Sequence, residues 1–294
     1  MGTEARLVLY APSQSAAETA ARAGFARIGQ LDSALSDYRR ESELVSVLMQ
    51  GANVPVPVSD DLMTVLGASL ALSAETEGAF DVTVGRLTVR QRFWRTAGGR
   101  TTTVECASSG ADWRRIMLDT VARTVVLKSP GMRLDFGGIG KGYAADEALA
   151  ALRAHGVERA LVSIGGDIVA GAAPPGMPGW RVNVEAADSA HRSMVFENGA
   201  LSTSGDTEQF LDGDSVRNSH VIDPRTGAPL TSRLMATVHA PTGMQADGWS
   251  TAVTVMDSTA RAKFIAAHPE GQFYVRVNGD GPPPARRPWC RVER

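Results

Sequence analysis

Leu134-Asp135-Phe136-Gly137-Gly138-Ile139-Gly140-Lys141-Gly142-Tyr143 is the stretch whose interpretation decides the fold, because it leads from a β-favouring run into the most strongly helical segment of the chain. From Tyr143 to His155, Ala145, Leu149 and Leu152 fall on one helical face. Gly156 follows as the residue best suited to a left-handed helix end. Glycines ahead of a helix let backbone N–H groups approach a ligand, and a helix N-terminus beside a lysine favours phosphate. A Walker A loop is excluded, since Asp135 stands where its first glycine is required and Gly142 where it needs Ser or Thr. Gly140, Gly142 and Ala145 do fit the G-x-G-x-x-A dinucleotide fingerprint. The same residues also fit a tight strand-to-helix turn with a solvated lysine.

Towards the C-terminus, Ala160–Ile164 and Trp180–Glu185 read as strands separated by a Gly/Pro-rich loop over 165–179. Further strands are expected at Ser193–Phe196, Ser219–Ile222, Ala236–His239 and Phe273–Val277, with a helix from Gln245 to about Val255. On that helix Asp247 and Thr251 are four apart and share a face. A carboxylate and a hydroxyl so placed are hard oxygen ligands suited to Mg²⁺, and equally fit a helix-start Asp followed by an ordinary Thr. Ser219–Gly227 reads as a strand ending in a Pro-initiated turn. Within it His220 is either a general base or an ordinary strand histidine.

Towards the N-terminus, Arg6–Tyr10 reads as a strand, followed by a helix with Ala21, Phe25, Ile28, Leu31 and Leu35 on its apolar face. Ser59 is placed to cap a helix carrying Leu62, Leu66 and Leu70, which should stop at Gly78. Phe80–Val84, Ile116–Leu118, Val125–Leu127 and Met132–Phe136 read as short strands, the last three as an antiparallel meander. Residues 95–112 are Gly/Thr/Ser-rich, as an exposed loop would be.

The 294 residues are 43% hydrophobic and 21% charged, a composition that excludes disordered and fibrous classes. Thirty Lys+Arg against 32 Asp+Glu provide no positive field to attract nucleic acid. Cys106 and Cys290 form neither a disulfide framework nor a four-thiolate zinc site. No apolar run reaches the ~18–20 residues of a membrane span. Met1–Tyr10 lacks the pattern of a signal peptide, so the chain as written reads as leaderless and cytoplasmic, or as a cell-envelope protein if a leader has been removed.

Eight ordered motifs resemble the ApbE-like FAD:protein FMN transferase family. They are Met1-Gly2-Thr3, Ser36–Arg39 with Ser42–Leu44, Gly78–Val84, Leu134–Tyr143, Ser163–Ile168, Ser202–Asp206, Ser219–Gly227, and Ala246-Asp247 with Thr251. The resemblance implies an α+β fold with largely antiparallel sheets, packed helices and a central FAD cleft. It implies one such domain over residues 1–294, whole or as two intermingled α+β subdomains. The implied activity is Mg²⁺-dependent transfer of the FMN half of FAD to a Thr or Ser hydroxyl of a target flavoprotein, with release of AMP. Carried over position by position, Met1, Tyr38, Ala79, Phe80, Asp81, Asp135, Lys141 and His220 would line the FAD site. Gly138, through its carbonyl, would hold the metal with Asp247 and Thr251. The chemistry would fall to Lys141 as a pyrophosphate counter-charge, Asp247 as the metal anchor and His220 as base. Gly138 departs from the family, where a side chain often stands, and 90–112 matches it poorly. Three alternatives stay open: an Mg²⁺-dependent FAD pyrophosphatase, a non-catalytic FAD-binding protein, and a parallel-sheet NAD(P) oxidoreductase.

Overall fold

The computed structural model describes residues 2–89, 110–184, 193–205, 210–213, 216–219, 221–230 and 234–277. Among them the strands are β1 (Ala5–Tyr10), β2 (Val56–Pro57), β3 (Ile116–Asp119), β4 (Thr124–Leu127), β5 (Arg159–Ile164), β6 (Asp167–Ala170) and β7 (Trp180–Asn183), then β8 (Ser193–Phe196), β9 (Gly199–Gly205), β10 (Phe210–Gly213), β11 (Val216–Ser219), β12 (Leu234–Ala240) and β13 (Gln272–Val277). The helices whose full length is described are α1 (Gln14–Leu35), α2 (Glu43–Met49), α3 (Asp60–Glu75), α4 (Gly140–Ala154), α5 (Gly243–Val255) and α6 (Ser258–Ala267).

The largest sheet has the order β1-β5-β6-β9-β12-β13, and each neighbouring pair in it is antiparallel. The fold is α+β with antiparallel sheets, as the sequence suggested. A dinucleotide fold of the Rossmann kind requires a parallel sheet. The oxidoreductase alternative is therefore excluded, and Gly140-x-Gly142-x-x-Ala145 serves another purpose.

Helix starts follow the capping rules. Ser13, Ser59 and Thr242 each accept a hydrogen bond from the backbone N–H three residues on, opening α1, α3 and α5. Leu31, Leu62, Leu66, Ala144, Ala145 and Leu152 are fully buried in the main core between these helices and the large sheet. Burying a leucine in such a core contributes about 1.5–3 kcal/mol. A second cluster, Trp180, Val182, Phe196, Leu201 and Ala170, packs the β7–β8 hairpin against the sheet.

Several expectations are corrected. Phe25 is half exposed, and α1 instead buries Ala20, Gly24, Leu31 and Leu35. Phe80–Val84 is not a strand: the Asp81 carboxylate binds the backbone N–H and hydroxyl of Thr83 and folds Val82–Val84 into a 3₁₀ turn, a local bond that outcompetes β-propensity. Met132–Phe136 is not a strand either, and the small sheet is completed by β2 in the order β2-β4-β3. Residues 165–179 are not all loop, since Gly165 and Gly166 both have positive φ (56° and 93°) and form a two-residue hairpin turn into β6. Finally, the strand expected at Ser219–Ile222 lies earlier, as β11, and α2, α6, β9 and β10 occupy stretches for which no element was expected.

Candidate functional site

Helix α4 begins at the end of the glycine-rich loop with no side chain capping it, and α5 packs alongside. Their approach is close because both are glycine at the contact: a Cβ on Gly142 would lie 2.0 Å from the carbonyl oxygen of Gly243. The Asp146 carboxylate ties the pair further, accepting from the backbone N–H of Gly243 (2.7 Å) and of Met244 (2.9 Å). This juxtaposition puts Lys141, in the first turn of α4, against Asp247 of α5.

Lys141 Nζ donates to the Gly137 carbonyl at 2.9 Å and to Asp247 Oδ1 and Oδ2 at 3.0 and 3.1 Å. It also lies 2.8 Å from Asp167 Oδ2. Asp247 Oδ2 accepts from the Gly142 N–H (3.1 Å), and Asp167 Oδ1 accepts from the Ser202 hydroxyl (2.5 Å). The hydroxyls of Ser202 and Ser250 are 3.2 Å apart, and Ser250 donates to the Asp247 carbonyl. Both carboxylates are buried, while the Lys141 side chain keeps 26% of its surface exposed.

Two carboxylates around one ammonium leave the cluster one positive charge short. Burial pushes the Asp247 carboxyl above the usual carboxylate range; the Asp167 charge adds to this, while Lys141 and the Gly142 N–H oppose it. Burial would lower Lys141, but Asp167 and Asp247 outweigh it and hold the ammonium above its ordinary range.

A cavity of about 990 Å³ opens above this cluster. Tyr38, Ala79, Phe80, Asp81, Asp135, Gly138, Lys141, Asp247 and Thr251, all singled out in the sequence, line it. Gly138 lies against Thr251, where a Cβ would meet the hydroxyl oxygen at 2.9 Å, so a glycine here lets the loop reach that side chain. Asp135 Oδ1 accepts from the Gly137 N–H and shapes the loop. The Asp81 carboxylate, besides binding Thr83, accepts from the Trp113 N–H. Burial raises its pKa and these bonds oppose the shift. Tyr38 is 61% exposed at the cavity rim. Met1, His220 and residues 95–109 lie outside the described residues.

Asp167, Ser202 and Asp146 were given no role from sequence. Asp167 and Ser202 do sit in two of the family-like motifs, Ser163–Ile168 and Ser202–Asp206, which was the available signal. Among the described residues no three His, Cys, Asp or Glu side chains converge as metal ligands. The oxygens grouped here are the two carboxylates, the Thr251 hydroxyl and the backbone carbonyls of the glycine loop.

The model of the ApbE family matches residues 1–275. An FAD:protein FMN transferase of Klebsiella pneumoniae is 30% identical over 96% of this chain and 83% of its own length. One from Vibrio cholerae is 33% identical over 77% and 70%. Among solved structures, the flavin transferase ApbE of Vibrio cholerae superposes with a TM-score of 0.81 at 28% identity, covering 95% of this chain and 92% of its own. The ApbE protein of Thermotoga maritima gives 0.79 at 26% identity, over 92% and 90%.

Proposed function

Because the chain belongs to the ApbE family, we infer that it is an FAD:protein FMN transferase. In this reaction the FMN half of FAD passes, with Mg²⁺, to a Thr or Ser hydroxyl of a target flavoprotein and AMP is released. The observation that carries this assignment is the meeting of Lys141, Asp247, Thr251 and the Gly137–Gly138 loop on the floor of one large cavity.

The donor set suits Mg²⁺. It is all oxygen, and the Asp167–Asp247–Lys141 cluster lacks one positive charge. The Asp247 carboxylate, the Thr251 hydroxyl and the Gly138 carbonyl would hold the ion, which supplies neutralising charge to a pyrophosphate. Lys141 adds a second positive charge in the same place. Tyr38, Ala79, Phe80, Asp81 and Asp135 line the cavity and would contact FAD there, with Met1 and His220 assigned to the same site by family resemblance.

The acceptor oxygen attacks the phosphorus of the FMN half. The bond from that phosphorus to the bridging oxygen breaks, and AMP leaves with that oxygen. The hydroxyl proton passes to a base, for which His220 is the candidate. Such a transfer depends on positioning and charge neutralisation more than on proton chemistry.

The test is chromatography of FAD, FMN and AMP after incubation with Mg²⁺, with and without a flavoprotein domain bearing an acceptor threonine. AMP release that requires the acceptor and is blocked by EDTA is expected. Equal FMN and AMP without any acceptor would make the protein a pyrophosphatase. Intact bound FAD with a competent acceptor would make it a binding protein.

A further inference from the structure

The Lys141 ammonium donates to the Gly137 carbonyl and to both oxygens of Asp247, and it forms an ion pair with Asp167 Oδ2 at 2.8 Å. Lys141 is also the second residue of α4, so its charge sits at the positive end of a helix dipole, an unfavourable place for a cation. Carboxylates must hold it there. Asp247 alone cannot do so once it turns to a metal ion.

Asp167 has the features of a permanent anchor. It begins β6 directly after the Gly165-Gly166 turn, is buried, and directs one oxygen to Lys141 while the other accepts from Ser202. An uncharged amide could accept the Ser202 bond equally well. Among the described residues, Lys141 is the cation that pairs with this negative charge.

We propose that Asp167 is a positioning residue: fixed by Ser202, it keeps the Lys141 ammonium in the site, so that Lys141 covers Asp247 when no metal is bound and gives it up without swinging away when a divalent cation arrives. The N–H freed from Asp247 then faces the cavity, where a phosphate oxygen of the substrate would accept it. Asp167 acts through Lys141, and its role rests on Asp247 being a metal ligand.

The experiment is Mg²⁺ titration of the full chain without FAD, by calorimetry and by the rise in Tm with Mg²⁺ concentration, on the parent, Asp167→Asn, Lys141→Met and the double variant. In Asp167→Asn the lysine has only Asp247 left to pair with and competes harder for it. Mg²⁺ binding should therefore weaken about tenfold where Lys141 is present, and about threefold or less in the Lys141→Met background, an imbalance expected only of directly coupled residues. Equal weakening in both backgrounds would reduce Asp167 to a distant charge and overturn the proposal, as would no weakening at all. A parent protein that takes up no Mg²⁺ would overturn the metal assignment itself, a distinct result. Ser202→Ala, which frees one oxygen of Asp167 but keeps its charge, provides the variant to use if Asp167→Asn fails to fold. It should weaken Mg²⁺ in the same direction by a smaller factor, and only with Lys141 in place.

Discussion

Gly142 and Gly243 meet backbone to backbone: a Cβ on Gly142 would stand 2.0 Å from the Gly243 carbonyl oxygen and 2.9 Å from the Asp247 Cβ. No rotamer relieves such a contact, because the obstructing atom belongs to the main chain. Gly142→Ala must therefore separate α4 from α5 and stretch the Gly142 N–H bond to Asp247. Overpacking of this kind costs about 1–3 kcal/mol or more. Denaturant unfolding should show that loss together with weaker Mg²⁺ binding; a variant of parental stability would mean the helices do not meet as described.

Asp247→Ala removes the one carboxylate assigned to the metal while Lys141 keeps Asp167 as partner, so the fold should survive. Charge neutralisation by a bound metal supplies several kcal/mol to such a transition state. The expected loss in turnover is thus on the order of a thousandfold, and the residual rate should no longer respond to EDTA. Steady-state kinetics with and without chelator decide this, and full Mg²⁺-dependent activity would remove Asp247 from the site.

Burial pushes Asp146 up to about 6 from the usual 3.8, against the opposing bonds from the Gly243 and Met244 N–H groups. A carboxylate raised in the folded state favours folding most below its unfolded pKa, and that contribution is lost as pH rises through the folded value. Asp146→Asn has no such titration. The Tm of the parent minus that of the variant should therefore fall between about pH 4 and pH 7, measured by thermal melts in matched buffers. A difference independent of pH would contradict the shift.

His220→Asn should alter the pH–rate profile if the imidazole takes the acceptor proton. A general base must be deprotonated to act, so its titration contributes the acidic limb of that profile. An unchanged limb would assign the proton to another group.

Much of the site was legible because its parts obey local rules. The glycines before α4, the helical face of Tyr143–His155 and the i, i+4 spacing of Asp247 and Thr251 can each be read from a few neighbouring residues. What brings Lys141, Asp167 and Asp247 together is packing between segments up to 106 residues apart, which no local pattern reports.

Asp167 escaped notice for a definite reason. Gly165-Gly166 has the composition of both a loop and a two-residue hairpin turn, and only the positive φ at both positions distinguishes them. Asp146 left no signal, since it bonds the start of a helix from a different helix, where Thr242 already provides the local cap. The dinucleotide fingerprint misled in the opposite way: glycine spacing describes a turn and contains nothing about strand direction. The antiparallel pairing of β5, β6 and β9 settles what the fingerprint left open.

The most direct measurement is the intact mass of an acceptor flavoprotein domain after incubation with this protein, FAD and Mg²⁺. A gain equal to FMN less one water, located on a Thr or Ser and absent with EDTA, is the predicted result. An acceptor of unchanged mass, in a reaction where a known flavin transferase labels the same domain, would contradict the assignment.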